Sequence, residues 1–385
     1  MTLAHTVIAQ VSLGVLLHID EKINKDDGPK KFPLAEYAAK NWTGHARFEG
    51  VSPKIQDGMK RFFDPSNRHL SVWIWIWESE FTDSSSTFNF PSRFEILLSS
   101  LTYAAGDGLH DIAEWLIVEH SQNVDHAGCE DYSPLGAASR GGHSEAVRVL
   151  LEHGADPEIQ DEEGMTPLKW ASRDGYVDVV SLLLKYDAEI EDYPYYSALH
   201  FASIWERVAV VRVLLENGAD VNARGDYGHT PLHLADNDDV ARVLLECGAD
   251  PGARDNTGQT PLLRTTSVKA AQALLENGAD PNARDNSNGT PLHARTGRLN
   301  TEVAQVLLEN GADPNARDDE NRTPLHWASE MGDLDFVRLL LRHSADIHAR
   351  DDEGLTPFQA ASASVDGEYR AVRRLLLEHG AEDHI

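Results

Sequence analysis

From residue 98 onward the apolar positions fall into short stripes at helical spacing, two stripes to a unit. Residues 161–185 hold one unit in full. Thr166 suits a helix N-cap because its hydroxyl accepts from an orphan amide, and Pro167 suits the first helical position because it has no N–H to strand. Leu168 and Ala171 then share a face, Arg173 to Tyr176 turns the chain, and Val179, Val180, Leu183 and Leu184 line a second helix. Thr-Pro-Leu or a close variant returns at Ser133, Thr166, Ser197, Thr230, Thr260, Thr290, Thr323 and Thr356, in steps of 33, 31, 33, 30, 30, 33 and 33 residues. Gly-Ala-Asp follows the second helix at Gly154, Gly218, Gly248, Gly278 and Gly311, with degraded copies at Asp187, Ser344 and Gly380. Glycine there turns left-handed without a Cβ penalty. A weaker copy around Leu101, Ala104 and Leu116 brings the number of units to about nine. One unit cannot bury its stripe alone, so the pattern predicts an all-α stack in which neighbouring helical pairs cover each other.

Residues 1–97 lack this period. Their pattern predicts helices over Leu3–Leu17, Phe32–Ala46 and Ile55–Phe63, the last stopped at Asp64-Pro65. The run Ser71–Trp77 fits a doubly buried strand or a buried helix, and it is expected to seal the first unit of the stack. Residues 1–80 are thus read as a small helical region, 81–97 as a linker and 98–385 as the repeat domain.

Charge narrows the partner. The chain carries −29 overall, yet residues 1–97 are nearly balanced, so the acidic surplus lies on the repeats. Such a surface repels phosphate backbones and anionic headgroups, which argues against nucleic acid and membrane and for a protein partner with a basic or mixed surface. The two cysteines, Cys129 and Cys247, suit a reducing compartment. The apolar start has no preceding basic residue, no small-residue cleavage site and too little length to span a bilayer. A cytoplasmic monomer is expected, with the nucleus as the other location.

Thr-Pro-Leu-His at 230–233, 290–293 and 323–326, together with Leu-Leu-Glu-x-Gly-Ala-Asp-x-Asn-Ala at 214–223, resembles the ankyrin repeat over roughly three quarters of the chain. The resemblance implies a solenoid of helix-turn-helix repeats with β-hairpin loops. Small residues in the first helices against Val and Leu in the second would bend the stack, leaving a concave groove of tips and first helices where partners bind. It also implies that His200, His233, His293 and His326 hydrogen-bond neighbouring turns rather than ligate a metal. Contact candidates on the tips are Asp226, Tyr227, His229, Asn256, Gln259, Asn286, Asp319, Glu320, Arg322, Asp352 and Glu353. Candidates seven or eight residues past each capping residue are Arg140, Arg173, Asp174, Ile204, Trp205, Arg298, Glu330 and Met331. Trp205 reads equally as an exposed contact residue and as packing against a neighbouring unit.

No phosphate-binding loop, nucleophile elbow, kinase signature or metal-ligand spacing occurs, so neither enzyme activity nor a cofactor or metal is expected; a hydrolase using two of the acidic residues is the distant alternative. Arg224, Arg254, Arg284, Arg317 and Arg350 recur at hairpin starts and read as a ladder of ion pairs. The units at Thr230 and Thr260 are short, and Thr265 and Thr266 would weaken a short first helix, so residues 224–283 are expected to form a softer hinge.

Phe32 to Trp42, with His45 to Phe48 and the later Trp-Ile-Trp run, resembles the segment that joins the nucleotide-binding module to the ankyrin sensor in fungal NACHT-ankyrin receptors. The resemblance implies a sensor array in a signalling context. The phosphate-binding loop of those receptors has no counterpart in this sequence, so a separated sensor half and a free-standing adaptor or inhibitor that occludes or presents an enzyme both stay open.

Overall fold

The computed structural model describes residues 2–19, 38, 42, 52–66, 69–70, 93–126, 132–190, 196–293, 301–361 and 367–382. Among them every regular element is helical, and the chain divides into two compact units, Met1–Glu189 and Ile190–Ile385.

The first unit begins with α1 (Thr2–Ile19) and α2 (Ser52–Phe63), which pack on each other. Gly58 lets them approach closely: a Cβ there would come within 2.8 Å of Leu13 Cδ2. Helix α2 stops one residue before Asp64-Pro65, as expected from the bias of a pre-proline residue against the helical region, and Asp64 Oδ1 closes the turn by accepting from the Ser66 amide at 2.8 Å. Trp42 is fully buried and meets Phe62 edge-on at 5.2 Å. Of the helix predicted over Phe32–Ala46 the structure describes Ala38 and Trp42, both helical; the run Ser71–Trp77 lies outside the described residues.

Three helical pairs follow in this unit: α3 (Arg93–Gly106) with α4 (His110–His120), α5 (Pro134–Arg140) with α6 (Ser144–Glu152), and α7 (Pro167–Asp174) with α8 (Val177–Lys185). Helix α3 begins inside the stretch read as linker. First helices pack on first helices and second on second, because each carries its apolar stripe toward the next pair. The caps are those the sequence names: Ser133 Oγ accepts from the Gly136 amide at 3.0 Å and Thr166 Oγ1 from the Lys169 amide at 3.3 Å.

Six pairs form the second unit. They are α9 (Ala198–Ile204) with α10 (Val208–Glu216), α11 (Pro231–Leu234) with α12 (Asp238–Glu246), α13 (Pro261–Arg264) with α14 (Val268–Glu276), a 3₁₀ turn Pro291–His293 with α15 (Thr301–Glu309), α16 (Pro324–Glu330) with α17 (Leu334–Arg342), and α18 (Pro357–Ala360) with α19 (Gly367–Glu378). The described residues thus hold nine such pairs, counting the 3₁₀ turn as a first helix. Second helices end alike: Gly218, Gly248, Gly278 and Gly311 have φ of 90 to 93°, and Asp187 and Ser344 hold the same left-handed position at φ 61° and 63°. The degraded sequence marker therefore preserves the turn at a modest strain cost.

The loops between repeats carry no strand among the described residues; each closes on backbone bonds across its own turn, such as Asp255 N–H to Gln259 O at 2.9 Å and Gly258 N–H to Asp255 O at 3.0 Å. Two expectations change. Thr265 and Thr266 do not sit in a short helix, because α13 ends at Arg264 and Thr265 is already extended. Arg254, Arg284, Arg317 and Arg350 pair with carbonyls, and no ion pair of theirs occurs among the described residues. Arg284 Nη1 donates to Asn288 O at 3.1 Å and Arg317 O at 2.7 Å, and Arg317 Nη1 donates to Asn321 O at 2.9 Å and Arg350 O at 2.7 Å. Five fixed donors let one guanidinium close its own turn and reach the next repeat, where a carbonyl is the nearest acceptor.

Candidate protein-binding surface

The hairpin tips of the second unit are laced into one row. Asn256 N–H donates to Tyr227 O at 2.8 Å, Asn286 N–H to Thr257 O at 2.9 Å, Asp319 N–H to Ser287 O at 3.1 Å, and Asp352 N–H to Glu320 O at 3.1 Å. Asn288 and Asn321 add side-chain bonds to Asp319 and Asp352. Tyr227, Asn256, Asn286, Asp319, Glu320, Asp352 and Glu353 are exposed along this row. Tyr227 is 71% exposed and sits at φ 59°, a left-handed turn position that a bulky residue rarely takes.

The tips at Asp255, Asp285, Asp318 and Asp351 are anchored from below by that aspartate, whereas the Tyr227 tip has Gly225 at the same position. Asp318 Oδ1 accepts from the Glu320 and Arg322 amides at 3.0 and 2.9 Å, while Oδ2 accepts from the Trp327 indole N–H at 2.9 Å. Asp161 and Trp170 repeat the arrangement at 2.7 Å. Bulk in the first helix thus fixes the loop that carries the contact residues.

His229, placed on the tips by the sequence, is buried between repeats, and Gln259 meets its neighbours through its backbone. Buried His229 lies 3.0 Å from the Tyr196 hydroxyl through Nδ1 and 3.4 Å from Asp255 Oδ2 through Nε2, linking three successive repeats. Burial lowers its pKa, and the Arg264 guanidinium adds to the shift. Burial alone would raise Asp255, but bonds from Thr257 and Gln259 hold its carboxyl below the usual range. The backbone carbonyl of Gln259 receives His233 Nε2 at 3.0 Å. His200, His293 and His326 reach the carbonyls of His229, Arg322 and Leu355 in the same way, at 3.0 to 3.1 Å. Burial pushes His200 and His233 down to about 4, and lowers His293 and His326 as well. These four rings are neutral tie-bars between repeats. Among the described residues no group of three or more His, Cys, Asp or Glu is placed to hold a metal ion.

First-helix candidates divide by unit. In the first unit Arg140 and Arg173 lie over the buried Trp170 ring at 4.8 and 4.1 Å, Arg140 Nη1 donates to the Tyr132 hydroxyl at 2.9 Å, and Arg173 Nε donates to Asp174 at 3.0 Å. In the second unit Ile204 and Trp205 are 38% and 50% exposed and Met331 is 42% exposed. Glu330 is engaged by Arg322 at 2.8 Å, whose guanidinium also lies 4.9 Å from the Trp327 ring. Arg298 lies outside the described residues. Sequence reasoning missed Glu206, which has φ 58° where Gly142, Gly175 and Gly332 occupy the same position of their repeats at φ 70°, 90° and 73°. The signal was present: a glutamate nine residues past the capping Ser197, where other units keep glycine.

Capped short helices stacked pairwise, with laced tips and a histidine tie-bar between turns, define a repeat scaffold whose side chains face outward from a row of loops. The chain belongs to the ankyrin-repeat family: the model for ankyrin repeats (three copies) matches residues 101–193, 192–255, 237–318, 263–351 and 294–385. Among solved structures, the ankyrin repeat domain of Bcl-3, described as a unique member of the IkappaB protein family, is similar at 31% identity over 56% of this chain and 99% of that one, with a TM-score of 0.47. No curated protein sequence matches. No helix of the described residues is long and apolar enough to cross a membrane.

Proposed function

We propose that the chain is a protein-interaction module, a sensor or adaptor array whose tips and first helices engage a partner protein with a basic or mixed surface. The observation that carries this reading is the row of laced tips. Backbone bonds from Tyr227 to Asp352 hold exposed Tyr, Asn, Asp and Glu side chains at fixed spacing, which lowers the entropy lost on binding. The surplus of acid on the repeats supports a partner whose association weakens with salt. The reading assigns no catalytic residue: His200, His233, His293 and His326 are tied to neighbouring turns, and Asp255 and Asp318 to the amides of their own tips.

The resemblance of residues 32–77 to the joining segment of fungal NACHT-ankyrin receptors supports a place as the ligand-recognising part of such a receptor, in the cytoplasm. A free-standing adaptor or inhibitor that occludes or presents an enzyme is the second reading; the rigid, evenly spaced tips suit that role equally.

Affinity capture with the intact chain, repeated with Tyr227→Ala, Glu320→Lys and Glu353→Lys combined, tests the module. Loss of the captured protein on reversal, and its release by about 0.5 M salt, are the expected results. Recovery unchanged by the triple variant and by Trp205→Ala would overturn the choice of face.

A further inference from the structure

Trp170 and Trp327 hold the same place in their repeats, four residues past the capping threonine. Each indole N–H donates to the tip aspartate of its own repeat, Asp161 at 2.7 Å and Asp318 at 2.9 Å. Their surroundings differ. In the second unit Arg322, one residue before the cap, lies 4.9 Å from the Trp327 ring and is neutralised inside its own repeat, by Glu330 at 2.8 Å and Glu320 at 3.2 Å. In the first unit buried Met165 stands where Arg322 does, and Arg173 stands where Glu330 does, seven residues past the cap. Arg140 holds that position in the preceding repeat, so two guanidinium groups reach one indole, at 4.8 and 4.1 Å.

The two arginines are not equivalent. Arg173 is compensated by Asp174, which accepts from its Nε at 3.0 Å. Arg140 is exposed, its Nη1 donates to the neutral Tyr132 hydroxyl at 2.9 Å, and no carboxylate pairs with it among the described residues. The nearby Asp161 is held by the Glu163 and Met165 amides at 2.9 and 3.0 Å as well as by the indole. Tyr132 and Trp170 meet edge-on at 5.8 Å and form a corner in which the Arg140 guanidinium lies 5.2 and 4.8 Å from the two rings. A guanidinium held over aromatic faces keeps its N–H edge for hydrogen bonds, and the Tyr132 hydroxyl uses one of its five donors. Two rings and a hydroxyl thus fix the fork in advance, which lowers the entropy lost when an acceptor arrives.

We propose that Arg140, positioned by Tyr132 and Trp170 and backed by the charge of Arg173, binds an Asp or Glu side chain of the partner protein. The carboxylate accepts two parallel N–H bonds from the Arg140 fork, while Arg173 adds positive charge without leaving Asp174. Charge selects this occupant. A cation would be repelled by two guanidinium groups, and a segment rich in phosphate would meet the acidic surplus of the repeats. A single carboxylate on an otherwise neutral or basic segment satisfies Arg140 and leaves the rest of that segment to the acids. The proposal rests on the protein-interaction reading and names the chemistry that the first unit reads.

Random-peptide selection on the intact chain, followed by fluorescence-polarisation titration of the enriched peptides, tests the site. Enriched peptides should carry Asp or Glu among neutral or basic residues, and Asn or Gln in its place should weaken binding to the unaltered chain about tenfold. Arg140→Gln should weaken the same peptides about tenfold, and Arg140→Lys, which keeps the charge but not the fork, about fivefold. In the Arg140→Gln chain the change from acid to amide in the peptide should bring no further loss, a coupling that mere loss of packing does not produce. Three results overturn the carboxylate site: enriched peptides without an acid, an acid-to-amide loss equal in the unaltered and Arg140→Gln chains, or phosphoserine bound more tightly than the acid it replaces. If the peptides respond instead to Tyr227→Ala, Glu320→Lys and Glu353→Lys, the interaction module stands and the Arg140 site alone fails; enrichment of no peptide counts against both.

Discussion

His233 Nδ1 accepts the backbone N–H of Thr230 at 3.1 Å, which leaves Nε2 as the donor to the Gln259 carbonyl at 3.0 Å. A protonated ring would have no lone pair for Thr230, so the neutral tautomer belongs to the fold. With His200 and His233 held at about 4 against an unfolded value near 6.5, the unfolded chain binds more protons between those limits. The stability these rings confer is complete above about pH 6.5 and is lost as pH falls toward 4. Urea denaturation at pH 7 and pH 5 should show a loss on the order of 2 kcal/mol for each ring. Equal stability at both values would show that the rings are not held neutral.

Thr260 marks the one short repeat in which the histidine slot holds Leu263, and its buried hydroxyl has no hydrogen-bond partner. Leu263→His should restore both the cap and the bond to the next turn, stabilising the protein by about 1 kcal/mol. Thermal melts of the variant would check this, a lowered Tm meaning that the slot cannot accept the ring.

Asp236 decides whether the short repeats are soft. Its four bonds to Thr265, Thr266 and Ser267 replace the contacts that a missing helical turn would have made, so the Thr266 and Ser267 amides should exchange slowly. Asp236→Ala should speed their exchange by about 30-fold, corresponding to about 2 kcal/mol of local opening. Fast exchange already present in the unaltered protein would instead support a hinge over 224–283.

Arg317 separates a carbonyl ladder from an ion-pair ladder. Because Nη1 serves two carbonyls, Arg317→Met should cost about 1 kcal/mol by the same amount in 0.05 M and 1 M NaCl. A cost that vanishes in high salt would point to carboxylate pairing.

The sequence by itself determined the unit, its phase and its caps. Thr or Ser capping each first helix from Ser133 onward, glycine after most second helices and the two apolar stripes are local requirements, legible because backbone sterics and capping act within a few residues. The buried histidines were legible for the same reason, since their slot recurs in phase with the caps.

Only the tertiary structure decided what each exposed or polar side chain faces. His229 read as a tip contact until stacking placed Tyr196 and Asp255 against it. The arginines read as ion pairs until the next repeat's carbonyl proved nearer than any acid. Trp205 stood open between two readings because its exposure depends on the length of the helix in the following repeat, a relation between residues about 30 apart. Local propensity carries no information about which acceptor a stacked neighbour presents, so those assignments wait on the fold.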